Sequence, residues 1–371
     1  MLFRSALDVA FNSKTTEWQL SYDGRKNEPV TLPMKFPLLL AQGADGIAVG
    51  LSTKILPHNF CELIEASIKS LRGRRFELHP DFQTGGMIDV TNYDEGKRGG
   101  KVRIRARIEE LDKKTLVIRD VPYSVTTTQL MESIVKANDQ GKIKIRKVTD
   151  YTGAEVEIHI ELASGISPDI TIDALYAFTD CEVSLSPNAC VIIDQKPRFV
   201  GVQELLRVSA ENTKELLRRE LEIRLAELQD KWHYTSLEKI FFEEKIYKEL
   251  EKKHATWEKV LEAIAAAFVP FRKQLKRDIT REDVVKLTEK PVRRIYKLDI
   301  DELNEQIKGL EADIKQVKHH LANLVDYAVS YYEGLLAKYG KGRERKTEIR
   351  LFEAIQAKQV AIANTKIYVN R

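Results

Sequence analysis

The order of apolar and polar positions divides the chain into three stretches. Between residues 102 and 194 the pattern mostly has a period of two. Val102 to Leu111 alternates, as do Thr115 to Val121, Lys142 to Thr149, Glu155 to Leu162 and Glu182 to Asp194, which predicts half-buried strands. Two segments among them switch to helical spacing. Thr127 to Asn138 opens on a threonine run suited to an N-cap, and Asp169 to Phe178 follows Ser167-Pro168. The order β-β-α-β-β-α-β predicts an α+β domain, a mixed sheet with helices packed on it.

From about residue 200 the spacing is helical and the charge density rises. A helix is expected from Val202 to Trp232, then shorter ones near 234–252, 255–268 and 280–288, with Pro270 and Pro291 as interruptions. Asp299 to Tyr339 reads as one helix of about 60 Å, at about 1.5 Å per residue. Its apolar positions, Leu303, Ile307, Leu310, Ile314, Val317, Leu321, Leu324, Ala328, Tyr331 and Leu335, alternate four and three apart, the signature of coiled-coil a and d sites. So narrow a stripe has to pack on another helix. Val202 to Trp232 is the nearest candidate, running antiparallel, with about 233–298 as a helical knob at the far tip. Ahead of residue 30 lie a short helical piece, Phe3 to Phe11, and a polar linker with Tyr22-Asp23-Gly24.

Composition narrows the functional classes. The 371 residues allow two or three domains, and 31% charged residues suit long solvated helices. A net charge of +4 means that any nucleic-acid surface must come from local clustering. Cys61, Cys181 and Cys190 form no CxxC or Cys/His spacing, which points to reduced thiols in a cytoplasmic protein. The opening MLFRSALDVAFNSK is too short and polar for a signal peptide, and no apolar run approaches the roughly 18 residues of a membrane span. His319-His320 lies mid-helix, where metal binding is not expected, and His58 is expected to hydrogen-bond locally.

Two features point to chemistry. The segment LLLAQGADGIAVGLSTKILPHN, Leu38 to Asn59, sets Ile47 between Gly43, Gly46 and Gly50, beside the polar Gln42 and Asp45. On its own it reads as a glycine-rich turn before a helix capped by Asn59, and it lacks the phosphate-loop pattern. The second is a basic strand. Lys101, Arg103, Arg105 and Arg107 share one parity and Val102, Ile104, Ala106 and Ile108 the other, which puts four cations on one face. Lys142, Lys144 and Arg146 repeat the pattern against Ile143 and Ile145. Such faces hold duplex phosphates without reading sequence, or are solvated outer faces balanced by Glu155, Glu157 and Glu161. No aromatics interleave with them, which argues against single-strand or RNA platforms.

Taken in order, these motifs resemble the DNA-handling A subunits of bacterial type IIA topoisomerases, gyrase and topoisomerase IV. The resemblance rests on GADGIAVGLSTKILPHN at Gly43 to Asn59, with Tyr22-Asp23-Gly24 and Pro33 to Pro37 before it. It continues through Arg98-Gly99-Gly100-Lys101-Val102, Ile104-Arg105-Ala106-Arg107 and Val121-Pro122-Tyr123, then Lys338-Tyr339-Gly340 and Arg345-Lys346-Thr347-Glu348-Ile349. Gln42, Ala44, Asp45 and Leu56 depart from the family's usual residues, and Asp45 adds a negative charge where a phosphate backbone would pass.

The resemblance implies that Ile47 wedges between base steps and bends the duplex. It implies DNA contacts from Gln42, Gly43, Lys35 and Lys54 around the wedge, and from Lys101, Arg103, Arg105, Arg107, Lys142, Lys144 and Arg146 along the arms. Residues 1–29 would be the remnant of a preceding DNA-gate domain, 30–198 a tower-like α+β DNA-binding domain, and 199–371 a coiled-coil arm whose knob is a homodimeric exit gate. Lys366 to Arg371 would begin a further strand. The family's catalytic tyrosine is expected before this chain, since none of Tyr22, Tyr93, Tyr123 or Tyr151 has its context. The chain alone is therefore expected not to cleave DNA. Mg2+ and ATP are expected on the partner B subunit, with no cofactor or metal held here. The implied partners are double-stranded DNA, a second copy of the chain and the B subunit, with no membrane, and the place is the cytoplasm, at the nucleoid. An architectural DNA-binding protein with a dimerisation arm is the alternative from another class.

Overall fold

A computed structural model describes residues 9, 11–193, 195–252, 255–289, 300–353 and 355. The expected helix Phe3 to Phe11, the strand at Lys366 to Arg371 and Pro291 lie wholly or mostly outside them. The chain forms two compact units, each built from two stretches of sequence. One comprises residues 34–213 and 329–371, the other 1–33 and 214–328.

The first unit is α+β. It opens with a short helix, α1 (Leu38–Gln42), and a hairpin of β3 (Ala44–Ala48) and β4 (Leu51–Ile55), followed by α2 (Phe60–Leu71); β1 and β2 belong to the other unit. Next come β5 (Met87–Asp89), β6 (Val102–Arg105), β7 (Arg107–Asp112), β8 (Thr115–Asp120), α3 (Thr127–Asp139), β9 (Ile145–Asp150), β10 (Ile158–Leu162) and α4 (Pro168–Phe178). Three strands, β11 (Glu182–Leu185), β12 (Cys190–Ile193) and β13 (Lys196–Phe199), precede the long helix α5 (Val202–Glu243). One sheet has the order β7-β8-β10-β9; a second, β11-β6-β5-β14, takes its last strand from β14 (Glu348–Ile349), which runs parallel to β5.

The core of this unit follows from the two periodicities. Leu116, Ile118, Ile158 and Ile160, on alternating positions of paired strands, meet Leu130, Ile134 and Ala137, spaced four and three apart on α3. α3 starts as the threonines suggest, at a Thr126–Gln129 capping box, and Pro168 occupies the first turn of α4.

Three strand expectations need correction. Val102 to Leu111 is two strands in two sheets, because Ala106 is claimed by neighbours: its N–H donates to the Cys181 carbonyl (2.8 Å) and its carbonyl accepts from the Tyr176 hydroxyl (2.9 Å). Alternation survives the crossing, so the pattern does not reveal it. Lys142 to Thr149 pairs only from Ile145, and Glu182 to Asp194 is split into β11 and β12.

The second unit holds the β1 (Glu17–Leu20) and β2 (Asn27–Thr31) ribbon, turned through Tyr22-Asp23-Gly24. Asn12 bonds Glu220 (2.9 Å) and Lys14 pairs with Glu227 on α5. Further along, α5 lays Leu225, Leu228 and Trp232 against Ile307, Leu310 and Ile314 of α8 (Ile300–Ala322). Trp232 bonds Glu311 (3.1 Å), while Glu220 and Arg224, earlier on α5, lie near Tyr327, beyond the end of α8, so α5 runs antiparallel to the stretch 300–327.

Beyond this contact, the end of α5 packs Leu237, Ile240 and Phe241 against Leu261 and Ile264 of α6 (Trp257–Ala267) and Val284 and Leu287 of α7 (Arg281–Thr288). α5 does not stop at Trp232. No breaker stands there, and it runs on until Lys245 turns left-handed (φ 56°). The helix expected over Asp299 to Tyr339 is broken into α8 and α9 (Leu324–Tyr339). At the break the Asn323 side chain donates to the His319 carbonyl (3.0 Å), a local bond that competes with the helical ladder.

Candidate nucleic-acid interface

The glycine-rich segment is a two-stranded ribbon. β3 and β4 pair antiparallel, with Asp45 opposite Lys54 and Ile47 opposite Ser52, and they turn through Val49 and Gly50 at φ 76°. The tip is apolar and unburied: Ile47 is 91% exposed and Val49 fully so. An isolated two-stranded hairpin is marginal in water, and this one is held from its β4 edge. Lys54 and Asn188 exchange both backbone hydrogen bonds (2.8 and 2.9 Å), and the Asn188 side chain donates to the Ser52 carbonyl (2.8 Å).

Its root is clamped more firmly. Gly43 sits at φ 71°, and a Cβ there would lie 2.5 Å from the Ile55 carbonyl oxygen, so only glycine fits. Behind it His58 is buried. Nδ1–H donates to the Leu40 carbonyl on α1 (3.2 Å), which leaves Nε2 to accept from the Tyr93 hydroxyl (3.1 Å). This is the local bonding expected of His58, extended to Tyr93. Burial pushes the imidazole down to about 4, so it is neutral, and burial raises the Tyr93 phenol. Asn59 then caps α2, accepting from the N–H groups of Cys61 and Glu62.

The departure at Asp45 has a local resolution: Lys54 reaches across the ribbon to its carboxylate at 3.2 Å. Gln42 is exposed at the end of α1. Lys35, expected beside the wedge, is not on the surface. It is buried, with its ammonium 5.7 Å from the Tyr331 ring centroid.

The expected cationic face of β6 is likewise corrected. Lys101 is exposed, but Arg103 pairs with Asp89 (2.7 Å) and Arg107 with Asp120 (2.9 Å). Arg105 is buried, pairs with Glu182 (2.6 Å) and stacks on Tyr176 and Phe352 at 4.6 and 4.4 Å. The reason is what covers the face. Asp89 and Glu182 stand opposite Arg103 and Arg105 on flanking strands, and the returning chain lays Phe352 over them. Burial alone would raise the Asp89 carboxyl; hydrogen bonds from Thr91, Arg103 and the Phe352 N–H outweigh it and hold it well below the usual range. The balancing acids are thus Asp89, Asp120 and Glu182, whereas Glu157 meets Arg119. In the other basic stretch, Lys142, Lys144 and Arg146 are exposed, with Arg146 3.9 Å from Glu161.

Reading the sequence missed Val49, although it stands two residues beyond Ile47 and a period-two reading would have included it. It also missed Asn188, for which no local signal exists. Among the described residues no helix is long and apolar enough to cross a membrane, and no three or more His, Cys, Asp or Glu side chains are grouped to hold a metal ion.

Comparisons with known proteins bear on this arrangement. Residues 3–332 match the family model for the A subunit of DNA gyrase/topoisomerase IV. The chain is 38% identical over 365 residues to the DNA topoisomerase 4 A subunit of Borreliella burgdorferi, an alignment covering 98% of this chain and 58% of that protein. It is 32% identical over 241 residues to the DNA gyrase A subunit of Lawsonia intracellularis, covering 60% and 29%. With the DNA topoisomerase 4 A subunit of Staphylococcus aureus it shares 29% over 343 residues, covering 84% and 40%. It therefore spans a little over half the length of the first of these relatives and less of the others. With a family model covering most of its length, the chain belongs to the family of DNA gyrase and topoisomerase IV A subunits.

Proposed function

We propose that this chain is the DNA-binding and dimerisation portion of an ATP-dependent type II DNA topoisomerase, an isomerase that passes one duplex through a double-strand break in another. Its role is to hold and bend the broken duplex and to form the exit gate. The observation that carries the reading is the β3–β4 ribbon: a bulky apolar tip in water on a root that is buried and hydrogen-bonded. A rigid apolar wedge is what unstacking a base step requires, and the bend it makes lets the duplex meet more of the protein.

In this reading Ile47 intercalates, with Gln42, the Gly43 backbone and Lys54 beside it. Asp45 holds Lys54 until a phosphate arrives. Lys101, Lys142, Lys144 and Arg146 meet the duplex arms, whereas Lys35, Arg103, Arg105 and Arg107 are structural. Residues 30–198 act as the tower-like DNA-binding domain after a remnant at 1–29, and 199–371 as an antiparallel coiled-coil arm whose knob, about 233–298, pairs with a second copy. The antiparallel packing of α5 on α8 and the apolar cluster beyond it support the arm and knob. Mg2+ and ATP are assigned to the B subunit, and the working place to the nucleoid in the cytoplasm.

The test is a bending assay by fluorescence transfer on an end-labelled duplex. Ile47→Ala is expected to abolish most of the bend while light scattering still reports the same dimer. Unchanged bending removes Ile47 from this role, and a monomeric wild type removes the gate.

A further inference from the structure

α2 ends in a turn that carries charge with no local employment. Residues 69–75 hold four cations, Lys69, Arg72, Arg74 and Arg75, and no acid. Arginines at a helix C-terminus commonly bond the last carbonyls and complement the dipole. Here the backbone does that work. Gly73, at φ 66°, donates to the Ser70 carbonyl (3.0 Å) and Arg74 N–H donates to that of Lys69 (2.8 Å), the paired closure of a Schellman turn. Arg72, Arg74 and Arg75 are all exposed, and among the described residues none has an ion pair, side-chain hydrogen bond or ring contact. Arg103 and Arg105 of β6 and Arg107 of β7, by contrast, are each held by a carboxylate. The turn is braced from beneath, where Phe76 and Leu78 are buried and Arg207 lies 5.8 Å over the Phe76 ring.

The other end of α2 is Asn59, at the root of the wedge ribbon. Twelve helical residues at about 1.5 Å each separate the two by about 18 Å, or roughly five base-pair rises of about 3.4 Å. We propose that Arg72, Arg74 and Arg75 form a phosphate-binding turn that takes the backbone of the same duplex that Ile47 enters, to one side of the wedged step. The inference rests on the reading of the ribbon as a DNA wedge. Guanidinium groups suit the task because their fork matches two phosphate oxygens, and the contact carries no sequence preference.

The experiment measures duplex affinity by anisotropy over a salt series, for wild type, Ile47→Ala and the triple variant Arg72→Gln, Arg74→Gln, Arg75→Gln. Gly73 is untouched in the triple variant, and its melting temperature is checked against wild type. Its log–log salt slope is expected to be shallower by about two to three, near 0.9 for each phosphate released, with Ile47-dependent bending retained. Hydroxyl-radical protection on a duplex with one flexible TA step should be lost only at the flank. A slope equal to wild type overturns the proposal, and so does protection lost at the wedged step itself. If Ile47→Ala leaves bending intact the wedge reading fails, while the slope of the triple variant still decides whether the arginine turn binds DNA.

Discussion

The β3–β4 ribbon and strand β6 belong to the same unit and treat their side chains in opposite ways. In the ribbon the apolar residues Ile47 and Val49 stand in water while the charges of Asp45 and Lys54 offset each other. In β6 the cations turn inward onto Asp89, Glu182 and the rings of Tyr176 and Phe352. The difference lies in what covers each element. β6 is interior in its sheet and is overlaid by the returning chain; among the described residues the ribbon is held at its root and along its β4 edge. Side chains that hold the fold together and side chains free to bind something are therefore distributed against the usual expectation from polarity.

The largest effect should come from β6. Arg105→Ala leaves Glu182 without its closest cation beneath Phe352 and should cost about 3–5 kcal/mol in chemical denaturation, the range for breaking a buried pair. A loss under about 1 kcal/mol would show that the strand's cations are not structural and erase the contrast.

Next is the root of the ribbon. His58 is held at about 4 in the folded chain against 6.5 when unfolded, so the folded state binds fewer protons between those values. Its contribution is complete above about pH 6.5 and is lost as pH falls toward about 4, on the order of 3 kcal/mol in all. Denaturation across this range should show a flatter slope in His58→Gln than in wild type; parallel slopes would mean the imidazole is not buried neutral.

Gly43→Ala should cost about 1–3 kcal/mol, since its Cβ meets backbone at a positive φ. The smallest effect sharpens the contrast most: Ile47→Ala should change stability by less than about 0.5 kcal/mol while removing the DNA bend. A stability loss above about 1 kcal/mol would mean that Ile47 is packed in the folded chain and is not poised for a ligand.

Much of the α+β unit was legible because its strands and helices carry clean periodicities, as in Leu116, Ile118 and Leu130, Ile134. Ile47 was singled out through the family resemblance; the glycines around it read on their own as a turn, and the two-stranded ribbon they form was not legible. What covers a face was not. Arg103 and Arg105 look solvated by parity, and only their partners at Asp89, Glu182 and Phe352, up to 249 positions away, pair the first and bury the second. Helix ends at single residues were equally hidden: at Asn323 a side-chain bond interrupts a heptad spacing that does not change, and at Lys245 the backbone turns left-handed without a glycine to mark it.

The parallel pairing of β14 with β5 has a consequence for how the chain is made. The Phe82 N–H bonds the Thr347 hydroxyl 265 positions later, just where β14 begins. At about 5–20 residues per second, β5 presents an unpaired edge for roughly 13–50 s of synthesis before its neighbour exists. Such edges recruit other strands, so a nascent chain has reason to fold what lies between β5 and β14 promptly and deliver β14 to its own sheet before another chain's strand arrives.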